Sequence, residues 1–233
     1  MASPLTAQDT ATTEVFPRLP PAAARGILPD FGETLRACEP LEMTVGGEGG
    51  SSRFSTVREA VRHAAREDAC AVKLRLRPGE HRGSFRVDRD MEILGPRRGT
   101  ASIAGTVSLR GPHSLRVRSV HLRDAGTPGA VVVDHPDARL DLRYLTVAGA
   151  AGHGVRQRGG RLVMDRVNVF GTRALAGFST SGVGIGLGEG VRARLSGVTL
   201  SGIGAFVTGL ISAGLPEIVT TQLIVRCRVP PRV

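Results

Sequence analysis

A set of four apolar positions, spaced L-x-V-x-x-V-x-L, constrains this chain more than any other feature. Leu115, Val117, Val120 and Leu122 return as Leu140, Leu142, Leu145 and Val147, then as Leu162, Met164, Val167 and Val169. They return again as Ala193, Leu195, Val198 and Leu200, and more loosely as Ile218, Thr220, Leu223 and Val225. Within a copy, alternate residues point to one side, as in a strand, and the two-residue gap marks a turn between two short strands. A segment this short cannot bury its apolar positions alone. Stacking copies about 4.8 Å apart buries them in one continuous column. A third strand per copy is visible at Val131 and Val133, at Val155, and at Val183 and Ile185. Glycine-rich corners at Ala125-Gly126, Gly149, Gly171 and Ser201-Gly202 close each turn.

The pattern therefore predicts an all-β chain, a right-handed parallel β-helix of about six coils, wound as a single-stranded solenoid. Leucine-rich repeats have a similar length, but their helical return is missing. An N-terminal capping helix is expected at about 56–67. Thr56 and Glu59 form a capping box, and Val57, Ala60, Val61, Ala64 and Ala65 recur at helical spacing opposite Arg58, Arg62 and Arg66. From Val72 onward the period changes to two. Two domains follow from this: a flexible N-terminal arm at 1–40, with a docking segment around 27–35, and the β-helix at 41–233. A short strand at 41–45 and a flexible Gly/Ser stretch at 46–52 precede the helix.

Here the chain resembles a known family. The run FSTVREAVRHAAREDACAVKLRLRPGEHRGSFRVDRDMEILGP looks like the N-terminal cap of pectin-lyase-like β-helix proteins, with Pro78-Gly79-Glu80-His81-Arg82 and Met91-Glu92-Ile93-Leu94-Gly95 matching the family's corner and strand elements. GGRLVMDRVNVFG is similar to the right-handed β-helix repeat of many bacterial proteins. The resemblance covers roughly 44–226 and speaks for the fold, which hosts lyases, hydrolases, esterases, epimerases and inert scaffolds alike. It implies carboxylate clusters that hold Ca²⁺ in lyases, or a close pair of Asp residues in hydrolases and esterases.

Carrying residues across the repeat offsets tests for such clusters. An offset of 25 places Asp141 beside Arg116 and Arg143 beside Arg118. An offset of 22 places Asp165 beside Arg143, Arg156 beside Asp134, and Gln157 beside His135. Arg and Asp alternate, and no paired carboxylates result. Ion pairs of this kind stabilise a solvated face by roughly 0.2–1 kcal/mol each. Their functional counterpart is an arginine stripe, Arg116, Arg118, Arg143, Arg156, Arg158 and Arg166, able to grip anionic groups bidentately. His135 and His153 are candidates for a general base. No pair of histidines has metal-ligand spacing, so neither a metal nor a cofactor is expected. The glycines of 182–190 lack the Lys-Ser/Thr of a phosphate loop and fit a strand with a crowded outer side.

The formal charge of +10, carried almost wholly by arginine since Lys73 is the only lysine, points to anionic partners. Aromatics make up only 3% of the chain, which disfavours base stacking and hence nucleic acid. Three cysteines, Cys38, Cys70 and Cys227, at wide spacing argue against a disulfide framework or a zinc site. No signal peptide or membrane-spanning stretch is visible, so a cytoplasmic location is expected. The apolar stretch at 203–215 and the Arg/Pro-rich tail offer no evident cap for the open end, which would leave it to fold over or to stack on another subunit. The expectation drawn from these features is a non-catalytic scaffold or interaction module, with a protein partner or self-association through its basic face, exposed end or arm. The alternative is a carbohydrate-active enzyme, a lyase or hydrolase acting on an acidic polysaccharide.

Overall fold

The computed structural model describes residues 40–46, 54–67, 69–174, 182–203 and 217–227. The N-terminal arm with its docking segment, most of the 46–52 stretch, and the stretches at 204–216 and 228–233 lie outside the described residues.

The chain is a right-handed parallel β-helix. After β1 (Leu41–Val45) and α1 (Val57–Arg66), each coil contributes a strand to one long wall, turns a corner, continues along a second arc, and closes through a separate sheet. The first coil is β2 (Ala71–Leu76), β3 (Gly79–Arg82) and β4 (Phe85–Val87). The second is β5 (Asp90–Leu94), β6 (Ala101–Ala104) and β7 (Val107–Leu109), and the third is β8 (Ser114–Arg118), β9 (His121–Arg123) and β10 (Gly129–Val133). In the next two, β11 (Arg139–Ala148) and β13 (Arg161–Phe170) run through the corner, and β12 (His153–Gln157) and β14 (Val183–Leu187) close the coil. Two further rungs, β15 (Arg192–Ser196) with β16 (Val198–Ile203) and β17 (Glu217–Thr220) with β18 (Leu223–Cys227), complete a 13-stranded sheet. The second sheet has 5 strands, in the order β14-β12-β10-β7-β4. All the registered strand pairs are parallel, which right-handed crossovers require.

The sequence repeat is the register itself. Leu115, Leu140, Leu162, Ala193 and Ile218 are successive partners, as are Val117, Leu142, Met164, Leu195 and Thr220. Alternate residues face inward and are buried from the first coil through the rung of β15 and β16, forming one aliphatic column, whereas Ile218 of the last rung is exposed. In four successive rungs the corner between the two arcs of the long wall is turned by a single residue in the left-handed region. Ser119, Tyr144, Arg166 and Gly197 occupy it in successive rungs, at φ 55, 53, 53 and 60°.

Thr56 caps α1 as the sequence predicts. Its side chain accepts from the Glu59 N–H, and the Glu59 carboxylate accepts from the backbone of Ser55 and Thr56. Val57, Ala60 and Ala64 are buried, and the helix packs on β1, β2 and β4, closing the start of the column. Two arginines tie it down. Arg89 donates to the Ala64 and Ala69 carbonyls at the helix C-terminus, and Arg58 donates to Ser84 O.

Two readings of the sequence are corrected here. Cys70, one residue before β2, is disulfide-bonded, although three widely spaced cysteines argued against such bonds. Gln157 does not stand beside His135. It points into the interior opposite Val133 and Leu187, with Nε2 donating to Gly159 O. The cause is corner length. Arg139 meets Arg161 in the long wall, whereas Gly129 meets His153 in the second sheet, so the two sheets do not share an offset.

Candidate functional site

The structure does not bring the six predicted arginines into one stripe. Arg116, Arg118 and Arg143 stand on the outer face of the long wall, and Arg166 stands at its corner. Arg156 and Arg158 belong to the other sheet.

On the long wall the charges form a closed ladder. Asp141 is 0% exposed, and both its oxygens are taken: Arg143 donates from Nε (2.8 Å) and Nη2 (3.0 Å), and Arg116 Nε lies 3.4 Å away. Arg116 also reaches Glu92 at 3.4 Å. The hydrogen bond that Arg143 donates to Asp141 is the largest influence raising the pKa of Arg143 above its ordinary value. A buried charge with both lone-pair sets engaged cannot act as a nucleophile or base. Asp141 is structural, and removing its partners would cost about 3–5 kcal/mol.

The second sheet carries the more reactive group. Gly154 faces the interior, where an added Cβ would lie 2.4 Å from Val169, and Val155 follows it inward. The alternation therefore slips by one residue, and His153 emerges on the outer side with Arg156. Its Nδ1 is 3.3 Å from the carbonyl oxygen of Pro128, which can only accept, so Nδ1 carries the proton. The pKa of the ring is lowered, chiefly by burial and further by the Arg156 charge, against the opposing hydrogen bond to Pro128. In the neutral ring Nε2 keeps a free lone pair. That atom lies over Gly186, where a Cβ would approach Nε2 to 3.0 Å and Cδ2 to 2.5 Å. Past His153 along the same face, Arg156 Nη2 and Arg158 Nε reach Asp134 at 3.9 and 3.4 Å. Both are long contacts, and Arg158 and Asp134 are exposed, so the Arg158 guanidinium in particular remains open to a stronger anion.

The other histidine candidate does not qualify. Nδ1 of His135 accepts from the Asp137 N–H, which fixes a turn. The stretch at 182–190 forms strand β14, as expected, and Gly186 supplies the floor beneath His153. The Ca²⁺ cluster implied by the family resemblance does not fit. No group of three His, Cys, Asp or Glu residues converges among the described residues, and Asp141 is already bound by arginine.

No protein-family model and no curated protein matches the chain. Among solved structures, the deglycosylated pectin methylesterase from Aspergillus niger matches with 13% identity and a TM-score of 0.39, covering 82% of this chain and 86% of that one. The penultimately deglycosylated form of the same enzyme matches over the same shares, with 13% identity and a TM-score of 0.36. The chain's own strand order and parallel register make it a right-handed parallel β-helix. The expectation of a non-catalytic scaffold is corrected. The solved structures found to be similar are pectin methylesterases, not scaffolds, and the likeness itself shows the fold alone. No helix among the described residues is long and apolar enough to cross a membrane.

Proposed function

We propose that the chain is a carbohydrate-active enzyme that binds an acidic polysaccharide along the outer face of the second sheet and cleaves it by β-elimination. The observation that carries this reading is His153. Its pKa is lowered, Pro128 orients the ring through Nδ1, and Nε2 carries no hydrogen bond among the described residues. A uronate carboxylate paired with Arg156 and Arg158 would have its charge neutralised, which acidifies the proton on the adjacent carbon. Nε2 of His153 removes that proton, the electron pair moves toward the carboxylate held by arginine, and a C=C bond forms as the glycosidic C–O bond breaks. The leaving oxygen takes the proton from the imidazolium, or takes one from solvent while the imidazolium returns its own to solvent, and either route restores His153. A base positioned in this way is worth roughly 10²–10⁴-fold in rate, and the guanidiniums stabilise charge where it develops.

The net charge of +10 supports a polyanionic substrate. The disulfide at Cys70 supports an oxidising compartment rather than the cytoplasm, since such bonds are rare where thiols are kept reduced. The test is incubation with a panel of polyuronates, following the ultraviolet absorbance of the unsaturated product. His153→Gln should lose at least a hundredfold in rate with an unchanged melting temperature. Chain cleavage without the chromophore would replace elimination by hydrolysis. No cleavage of any acidic polysaccharide would overturn the reading.

A further inference from the structure

The chain contains one tyrosine and no tryptophan, and that tyrosine stands in the open. Tyr144 is 51% exposed and sits at the corner of the long wall, on a different sheet from His153. Its φ is +53°, a region that bulky side chains rarely adopt. Arg166, the corner residue of the next rung, is held at the same φ. Gly197 in the following rung turns the same corner without strain.

The strained conformations build a stacked pair. The guanidinium of Arg166 lies 5.2 Å from the Tyr144 ring centroid, within cation–π range, and covers one face of the ring. The opposite face looks toward the preceding rung, where the corner residue is only Ser119. Next to Ser119 in that rung is Arg118. Its Nε is shielded from solvent and has no hydrogen-bond partner among the described residues. A flat, partly apolar ring with an exposed side, a small corner neighbour in the preceding rung and an arginine one residue before that neighbour, with an unpartnered Nε, matches one ligand chemistry. A pyranose stacks its C–H face on the aromatic ring while an anionic substituent reaches the guanidinium.

We infer that Tyr144, with Arg118 and Arg166, forms a second binding site for an acidic sugar, separate from the His153 face. The ligand class rests on the acidic-polysaccharide reading, whereas the geometry of the site does not.

The absence of tryptophan makes the test direct, because tyrosine emission from the folded protein reports on Tyr144 alone. Titration of the full chain with a galacturonate oligomer should change that emission saturably. A neutral oligomer of equal length should leave it unchanged. Arg118→Gln keeps the fluorophore and should weaken the oligomer's effect about tenfold. Tyr144→Gly should weaken calorimetric binding to a similar extent with an unchanged or raised melting temperature, because glycine relieves the left-handed backbone. His153→Gln should keep the emission response while losing cleavage. Silent emission at saturating oligomer, wild-type affinity in both corner variants, or an equal response to the neutral oligomer would overturn the second site. Cleavage with silent emission removes this site alone. An emission response without cleavage removes only the catalytic reading.

Discussion

Leu142 offers the sharpest test of the inward and outward assignment, because its two chain neighbours, Asp141 and Arg143, are charged and lie on the outer face. Its side chain is 0% exposed and sits in the column between Val117 and Met164. Truncation to alanine removes buried methyl groups and leaves a cavity, and such changes cost 2.7–5.0 kcal/mol depending on how far the site can collapse. Collapse is restricted here. The rungs above and below are held by continuous backbone ladders at about 4.8 Å, so Leu142→Ala should fall in the upper half of that range, at about 4 kcal/mol. For a domain of this size each kcal/mol shifts the melting temperature by about 2–4 °C, giving a drop of about 8–16 °C by circular dichroism. Leu142→Asp adds the burial of an unpaired charge to the cavity. The sum approaches the whole stability of an ordinary domain, about 5–15 kcal/mol, and the variant should not fold. Asn168→Ala serves as the outward control. Its side chain is exposed between Thr146 and Thr199, and the change should stay within about 0.5 kcal/mol. If Leu142→Asp folds with unchanged melting, or Asn168→Ala costs as much as Leu142→Ala, the assignment of faces is wrong.

Three further outcomes are expected. Because the folded pKa of His153 lies below its unfolded value, its contribution to stability is complete above about pH 6.5 and is lost as pH falls from there toward the folded pKa. His153→Gln should remove that part of the slope in urea midpoints measured between about pH 7 and 5, and identical slopes would contradict the lowered pKa. Gly186→Ala would place a Cβ 2.5 Å from His153 Cδ2, turning the ring off Pro128. Losing the Pro128 hydrogen bond, which raises the His153 pKa, should lower that pKa further by NMR, and turnover should fall as the ring loses its orientation; an unmoved resonance would refute the packing. A reductant should lower stability by about 2–4 kcal/mol through Cys70. Equal melting with and without it would show that the bond contributes nothing.

What could be read from the sequence was whatever the stacking geometry repeats. The interior columns of the long wall, the capping box of α1 and the pairing of Asp141 with Arg116 all follow from strict periods of two or from one constant offset. The second sheet resisted for a definite reason. Its rungs are set by corner lengths, so the offset carried over from the long wall missed the strand register and set Gln157 beside His135, whereas Gln157 is buried opposite Val133; Arg156 still reaches Asp134 through its long side chain. His153 was singled out as a candidate base, but its surroundings were hidden. They depend on a carbonyl of the preceding coil and a glycine of the next. The exposed Tyr144 was missed altogether. The signal was present, since a lone tyrosine occupies the position where the later copy has Gly197. Depth of burial was equally invisible for Asp141, because an outward position in a strand is ordinarily wet, and only the flanking arginines close over it.

Corner length also has a parity. An insertion of two residues in a corner advances the next strand by an even step and returns the same side chains to the interior. An insertion of one turns the strand inside out. A coil of this kind can therefore lengthen one arc freely, provided the steps are even, and each outer surface can acquire its own chemistry without rewriting the other. At Gly154 an odd step has been taken within the strand. It is what delivers an imidazole to the surface at a position where unbroken alternation would have placed one more core side chain.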